Sequence, residues 1–327
     1  MKIIQKLLTF AVAIVLSAGV AFTFSACNNN TQDGKKNIIC TIYPSYDWTM
    51  QILGEQKDNY NVNFITNGTE LHSFNPTPAN IIEISTADIF IYVGGESDEW
   101  ADKILKNATN KNMIVINLLE ILGDNAKQEE FKEGMQPEED EHEHADEGEE
   151  EPEYDEHVWL SLKNAKIFVN EIATQLGKLD ETNKDVFLQN ATLYNQELEN
   201  LDVQYTNEVN SASTKTILVA DRFPFRYLVE DYNLNYYAAF VGCSSETRAT
   251  PQTITFLANK IDELTLKNII ILENSNSEIA NTVKNSTQAK NQQILVLNSI
   301  QSTTLKDNIT YLQLMTNNLQ VLKQALN

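Results

Sequence analysis

Short apolar runs alternate with amphipathic segments along most of this chain. In the first half, the apolar runs and the segments of helical spacing between them lie at 38–43, 46–53, 62–65, 78–85, 89–93, 98–106 and 113–117. The same rhythm returns at 216–220, 236–240, 268–273 and 294–298, and an amphipathic segment closes the chain at 305–326. Apolar strands joined by helices are typical of parallel sheets with both faces covered. The pattern predicts an α/β fold of two lobes, each a parallel sheet with flanking helices.

A stripe of apolar side chains lies between the two groups of strands. Its members recur at four- and three-residue spacing and are Phe187, Ala191, Tyr194, Leu198, Leu201, Tyr205 and Val209. The stripe predicts one helix over 181–210, capped by Asp180, that joins an N-terminal lobe at 37–180 to a C-terminal lobe at 211–327. A helix about 43 Å long reaches past both lobes, which favours a strut packed on both over a dimer seam. We therefore expect a monomer.

The start of the chain indicates export. Lys2 and Lys6 precede an apolar stretch at 7–20, and residues 1–27 read as a secretory signal. The sequence FSAC at 24–27 resembles a bacterial lipobox, although Phe24 stands where Leu is usual, and a plain signal peptide is the alternative. We expect a surface lipoprotein anchored to the cell membrane through Cys27, with a flexible tether at 28–36. One acyl chain binds a bilayer only marginally, so stable attachment requires diacylation.

Two cysteines, Cys40 and Cys243, remain after the signal. An oxidising compartment permits a disulfide, but the pair is far apart in sequence, and geometry decides whether the thiols meet. Two separately buried thiols are the alternative.

Most of the negative charge lies in one segment. The net charge is −22, and residues 129–156 contribute −15 of it through sixteen carboxylates and the single Lys132. Such a density predicts a solvated, disordered acidic loop. Nucleic acid is an unsuitable partner for this surface.

Three motifs flank the predicted strand ends of the first lobe. They are TIYPSYDW at 41–48, GTELHSFNPT at 68–77 and DEHVWLSLKNA at 155–165. In this order, with an acidic His-containing insertion before the third, they resemble the metal-binding solute-binding lipoproteins of zinc and manganese ABC transporters. The resemblance covers nearly all of the chain after the signal. It implies two α/β lobes joined by a long helix, a metal in the cleft and an ABC permease as partner.

The residues themselves point to the same cleft. Ligands of open α/β sheets bind beyond the carboxyl ends of the strands, where His72 and His157 are expected. Tetrahedral Zn²⁺ takes about four ligands, so the second lobe must supply the others. In the related proteins a His or Glu ends that lobe's first strand, but ADRFPFRY at 220–227 puts Arg222 there, and Arg cannot bind a cation.

We therefore expect carboxylates to complete the site. Asp221 and Glu273 are the candidates for the third and fourth ligands, and Glu278 is the alternative to Glu273. Glu70 is a further carboxylate within reach. Glu246 is ambiguous, because Arg248 stands where the resemblance leads us to expect an acidic residue.

Two imidazoles with two carboxylates suit Zn²⁺ and also tolerate Mn²⁺. The segment EEDEHEH at 138–144 resembles the loop of the zinc-specific relatives, so Zn²⁺ is the expected metal. His142 and His144 in this accessory loop could concentrate cations at the cleft mouth. A purely solvating insertion is the alternative.

Three functions follow from these observations. The first is an extracytoplasmic receptor that captures Zn²⁺ and delivers it to an ABC permease. The second is a surface lipoprotein for metal buffering or adhesion. The third, a zinc hydrolase, is disfavoured because the sequence contains neither an HExxH nor a GxSxG motif. We expect no enzyme activity.

Overall fold

The computed structural model of the protein describes residues 34–136, 153–244 and 248–327. Within them lie two parallel sheets of four strands each, in the orders β2-β1-β3-β4 and β6-β5-β7-β8. The eight strands are β1 Lys36–Cys40, β2 Tyr60–Phe64, β3 Ile89–Tyr92, β4 Ile114–Asn117, β5 Thr216–Phe223, β6 Asn235–Val241, β7 Asn268–Leu272 and β8 Gln293–Leu297. This confirms the predicted α/β fold with one parallel sheet in each lobe.

Helices connect the strands and cover both faces of each sheet. The α-helices are α1 Tyr43–Leu53, α2 Pro78–Thr86, α3 Glu99–Lys106, α4 Leu118–Leu122, α5 Leu162–Leu179, α6 Lys184–Ser211, α7 Arg226–Tyr232, α8 Pro251–Leu264, α9 Glu278–Ser286 and α10 Tyr311–Ala325. In the part of the chain that the structure describes, none of these helices combines the length and apolar character that crossing a bilayer requires.

Period-two alternation along the strands builds separate apolar layers. In β5, Leu218 and Ala220 face a cluster formed with α8 and α9, whereas Ile217 and Val219 face the largest cluster. That largest cluster also contains α1, α5, α6 and α10, so it extends from one sheet to the other. The two lobes therefore share one apolar layer, which holds their carboxyl edges in a fixed relation.

The helix α6 carries the predicted stripe, and all seven of its apolar members are buried within this single chain. The helix contacts α1, α5, α7 and α10, which belong to both halves of the fold. The strut is thus confirmed, and the alternative of a dimer seam is wrong. The expected N-cap is also wrong, because Asp180 ends α5 and accepts hydrogen bonds from the backbone N–H groups of Thr182 and Asn183 in the turn before α6.

Two other expectations differ from the structure. The last helix begins at Tyr311 rather than at 305, because residues 305–307 form a 3₁₀ turn that ends at Asn308, whose φ is 47°. The acidic segment is not disordered at its ends, since Glu129 donates its backbone N–H to the carbonyl of Glu153. The middle of that segment, with His142 and His144, lies outside the described residues, as do Cys27 and the predicted signal.

Candidate metal site in the interlobe cleft

Two imidazoles of the first lobe meet at the cleft. His72 lies in a 3₁₀ turn, Leu71–Ser73, in the loop that follows β2. His157 directly precedes a second 3₁₀ turn, Val158–Leu160, which leads into α5. The Nε2 atoms of the two rings are 3.2 Å apart. The structure therefore brings together the two histidines that the motifs single out.

A carboxylate fixes the orientation of His157. Its Nδ1 lies 3.1 Å from Oδ1 of Asp155, and the same oxygen accepts the backbone N–H of His157 at 2.9 Å. An Nδ1–H that donates to a carboxylate leaves Nε2 with a lone pair, and metal-binding histidines commonly have such a partner. The buried ring of His157 is thus held with a ligating nitrogen facing His72.

His72 has a corresponding support from the 3₁₀ turn Glu96–Asp98, which follows β3. Its Nδ1 lies 2.6 Å from the hydroxyl oxygen of Ser97, and Oε2 of Glu156 is 3.6 Å away. Glu156 in turn accepts the backbone N–H of Ser97 at 2.8 Å. When His72 donates from Nδ1 to Ser97, its Nε2 presents a lone pair to the Nε2 of His157. A cation between the two nitrogens removes the repulsion between these lone pairs.

The pKa values of the two rings are shifted in opposite directions. Burial, followed by the charges of His157 and Arg222, lowers the pKa of His72 from 6.5 to about 3, so this ring is neutral near pH 7. Burial alone would lower the pKa of His157, but the charge and hydrogen bond of Asp155, with Glu156 and Glu129, raise it. A metal at this site therefore competes with a proton mainly at His157.

A third group that is capable of binding a metal comes from the second lobe, and it is not one that the sequence motifs indicate. The Sγ of Cys243 and one nitrogen from each of His72 and His157 all lie within 4.8 Å of one another. Cys243 follows the carboxyl end of β6, and its backbone N–H donates to Oε1 of Glu129 at 3.0 Å. The rule that ligands collect beyond strand ends could have found this residue. Both Cys243 and Cys40 are free thiols in the structure, which does not contain the disulfide considered above.

The expected carboxylate ligands line the same cleft of about 560 Å³. Asp221 accepts the backbone N–H of Arg222 at 2.9 Å and that of Leu272 at 3.4 Å. Both oxygens of Glu273 accept hydrogen bonds from Ser299, one from its N–H and one from its hydroxyl, each at 2.7 Å. Among the described residues, the ligand atoms that converge within 4.8 Å are those of the two histidines and Cys243.

The other candidates have different positions. Glu278 is exposed in the first turn of α9 and does not line the cleft. Glu70 lines it and forms an ion pair with Arg222 across the two lobes. Glu246 lies outside the described residues.

The two sheets with their helices form a two-lobed α/β solute-binding fold. Side chains that are capable of binding a metal meet in the cleft between its lobes. The chain belongs to the family of the periplasmic zinc-uptake complex component A, ZnuA, whose sequence profile matches residues 38–325. This confirms the family resemblance that the three motifs indicate.

Named relatives agree with this membership. The chain is 30% identical over 316 residues to the zinc-binding lipoprotein AdcA of Streptococcus pneumoniae, which covers 96% of this chain and 60% of AdcA. It is 28% identical over 320 residues to the high-affinity zinc uptake system protein ZnuA of Bacillus subtilis, covering 92% and 93% of the two chains. The chain thus spans less than two thirds of AdcA but nearly all of the Bacillus protein.

A solved structure is similar as well. The Zn(II)-bound ZnuA-like domain of Streptococcus pneumoniae AdcA superposes with a TM-score of 0.68 at 28% sequence identity. The match covers 90% of this chain and 99% of that domain. The similarity therefore extends over both lobes.

Proposed function

We propose that this protein captures Zn²⁺ in the interlobe cleft outside the cytoplasm and delivers it to an ABC permease. Its family consists of components of zinc-uptake complexes, and the S. pneumoniae domain of similar fold is Zn(II)-bound. Binding and release of an ion, with no catalytic step, is the role that this family membership supports.

The observation that carries the proposal is the pair of Nε2 atoms 3.2 Å apart. In a tetrahedral zinc site with Zn–N bonds near ~2.0–2.1 Å, two ligating nitrogens are separated by about 3.3 Å. The first lobe therefore holds two ligands at the required spacing, with Asp155 and Ser97 fixing the rings. Asp221 and Glu273 are the carboxylates of the second lobe that are proposed as candidates for completing the site. Because the lobes share α6 and one apolar layer, we expect a small rocking motion on closure.

Titration of the protein with Zn²⁺ and with Mn²⁺, monitored by calorimetry, tests the proposal. We expect one tight Zn²⁺ equivalent in the wild type and its loss in His72→Ala, because one imidazole of the pair is removed. His142→Ala is the matched control, since it removes an imidazole from the acidic segment and should leave that equivalent in place. Tight, unchanged binding in His72→Ala contradicts the assignment.

A deletion of residues 137–152 distinguishes metal binding in the cleft from metal binding by the acidic segment. It spares the ordered ends at Glu129 and Glu153, which pair with each other. We expect the tight cleft equivalent to persist and any weaker equivalents to disappear. If stoichiometry and uptake rate both remain unchanged, the segment is a solvating insertion rather than a cation collector.

The proposal includes a monomeric lipoprotein held at the membrane through Cys27. Relatives named zinc-binding lipoproteins support this placement. In the producing bacterium, Cys27→Ala should release the protein from the membrane fraction and abolish labelling by a fatty-acid analogue. Retention of both in the variant would show that another feature anchors the chain.

A further inference from the structure

The second lobe contains no imidazole with which to complete the site. All four histidines, His72, His142, His144 and His157, precede α5, so every ligand from residues 158–327 must be a carboxylate or a thiol. Arg222 is the last residue but one of β5 and is already paired with Glu70. The neighbouring strand in the sheet is β6, and the residue that follows its carboxyl end at the cleft is Cys243.

A close approach of the lobes brings this cysteine to the histidines. Gly242 lies directly before it, and a β-carbon on Gly242 would be 3.2 Å from Cε1 of His157 and 3.3 Å from Oδ2 of Asp155. The same β-carbon would be 3.0 Å from the carbonyl oxygen of Phe223. A larger residue at position 242 would push the end of β6 away from the imidazoles. Gly242 thus permits the Sγ of Cys243 to come within 4.8 Å of both ligating nitrogens.

We propose that Cys243 is the third metal ligand and that its thiolate is the second lobe's principal contribution to the site. The proposal rests on zinc capture by His72 and His157. In a tetrahedral site, a sulfur at a Zn–S distance near ~2.3 Å and a nitrogen ligand are separated by about 3.5 Å, so a shift of at most about 1.3 Å brings the thiol into place. The fourth position is then left for one carboxylate rather than two.

The positions of the candidates favour the thiol. The oxygens of Asp221 and Glu273 accept hydrogen bonds from their own lobe, and neither carboxylate belongs to the group of ligand atoms that converges with the two imidazoles. Cys243 belongs to that group, and Glu129 holds this cysteine by accepting its backbone N–H and by a second hydrogen bond with its thiol. On metal binding the S–H bond breaks, the Zn–S bond forms and the proton leaves to water.

A thiolate also determines which metals the site prefers. Soft sulfur ligands favour Zn²⁺, whereas oxygen ligands suit Mn²⁺. A site of two imidazoles, one thiolate and one carboxylate should therefore discriminate against Mn²⁺ more strongly than one with two carboxylates. This preference depends on a single residue and can be removed by one substitution.

Cobalt substitution gives a direct test, because a thiolate bound to Co²⁺ produces a charge-transfer band in the near ultraviolet that nitrogen and oxygen ligands do not. The full chain carrying Cys27→Ser, kept reduced, is loaded with Co²⁺ before and after adding Cys243→Ser. Cys40→Ser is the matched control, since Cys40 is a buried thiol at the end of β1. We expect the band in the parent and in Cys40→Ser, and its loss in Cys243→Ser.

Zinc affinity and alkylation provide independent readouts. We expect Cys243→Ser to weaken Zn²⁺ binding by at least about tenfold and Mn²⁺ binding by less. Stoichiometric Zn²⁺ should also protect Cys243 from iodoacetamide in the parent, as mapped by peptide mass spectrometry. Circular dichroism of the metal-free variant establishes that it folds.

The outcomes separate the two proposals. Tight binding of one Zn²⁺ without the cobalt band, and with unchanged affinity in Cys243→Ser, overturns the thiolate ligand and leaves zinc capture intact. Absence of tight metal binding in the parent overturns zinc capture itself.

Discussion

The carboxyl edges of the two sheets face one cleft but are built differently. On the first lobe, His72 and His157 each have one ring nitrogen held by Ser97 or Asp155, which leaves the other nitrogen facing the partner ring. On the second lobe, the oxygens of Asp221 accept the backbone N–H groups of Arg222 and Leu272, and those of Glu273 accept the N–H and the hydroxyl of Ser299. The first edge thus presents two nitrogens at the spacing that a metal site requires, whereas the carboxylates of the second edge are oriented toward their own lobe.

This difference bears on the proposed function, in which the protein delivers its ion to a permease and must therefore release it. Ligands that are fixed in advance lose little conformational entropy on binding and supply most of the affinity. Carboxylates that are oriented by hydrogen bonds to their own lobe have to reorient before they bind, and their net gain in free energy is smaller. We infer that the first lobe retains the metal and that the second lobe governs how readily it leaves. The following substitutions test this inference.

The largest effect is expected on the first lobe. Asp155→Asn keeps the size of the side chain but removes the charge that orients and polarises His157, so Zn²⁺ affinity should fall by about 10- to 100-fold. Asp221→Asn is the counterpart on the second lobe, and its loss should be smaller because the oxygens of Asp221 are oriented toward Arg222 and Leu272 and lie outside the group of ligand atoms that converges with the imidazoles. Isothermal titration at neutral pH measures both. An equal loss in the two variants would abolish the distinction between the edges.

A smaller effect, of opposite sign, is expected at Arg222. Its guanidinium is paired with Glu70 and contributes to the lowered pKa of His72, so its charge acts on the site. Arg222→Gln removes this repulsion and frees the carboxylate of Glu70, and Zn²⁺ affinity should rise by several-fold, up to about tenfold. Competition with a fluorescent zinc chelator is sensitive enough to measure the change.

Arg226→Gln is the control for the loss of one positive charge. Arg226 also lies in the second lobe, but it pairs with Glu230 and does not line the cleft. This variant should bind Zn²⁺ as the wild type does. Weaker binding in Arg222→Gln would mean that its pair with Glu70 mainly holds the lobes together.

The sequence predicts the strands and helices well, because the buried apolar residues recur with the period of the element that contains them. The apolar runs give all eight strands of the described chain to within three residues at either end, and the α6 stripe from Phe187 to Val209 is buried at every position. His72 and His157 are also predictable, because each lies in a motif at a strand or helix end. The distance of 3.2 Å between their Nε2 atoms agrees with the shared site that the motifs indicate.

The second half of the site is less predictable for a physical reason. Cys243 carries no motif, and its proximity to His157 depends on a close interlobe approach at Gly242. The hydrogen bonds that engage Asp221 and Glu273 come from N–H groups of Leu272 and Ser299, which are distant in sequence. The prediction that Asp180 caps the N-terminus of α6 is wrong for a similar reason. A cap residue is selected by the turn geometry between two helices and not by residue type alone.

A buried carboxylate beneath the first lobe's edge should affect stability without changing zinc affinity much. Asp98 follows β3, and one of its oxygens accepts the N–H groups of Val93 at 2.9 Å and Gly94 at 3.2 Å. Burial, followed by the charge of Glu156, raises the pKa of Asp98 from 3.8 to about 7 despite these hydrogen bonds. Between these values the unfolded chain loses its proton while the folded chain keeps it. Stability therefore falls as pH rises from about 4 to about 7.

Asp98→Asn removes this titration and keeps an oxygen that can accept from Val93 and Gly94. The variant and the wild type should be similar below pH 4, and the variant should become more stable by a few kcal/mol at most above pH 7. Asp180→Asn is the contrasting control. Hydrogen bonds from Asn183 are the leading cause of the lowered pKa of Asp180, so that variant should be the less stable one near neutrality and approach the wild type in acid. Urea unfolding of the metal-free proteins across this pH range measures both differences. A difference for Asp98→Asn that stays constant with pH would show that folding does not change the pKa of Asp98.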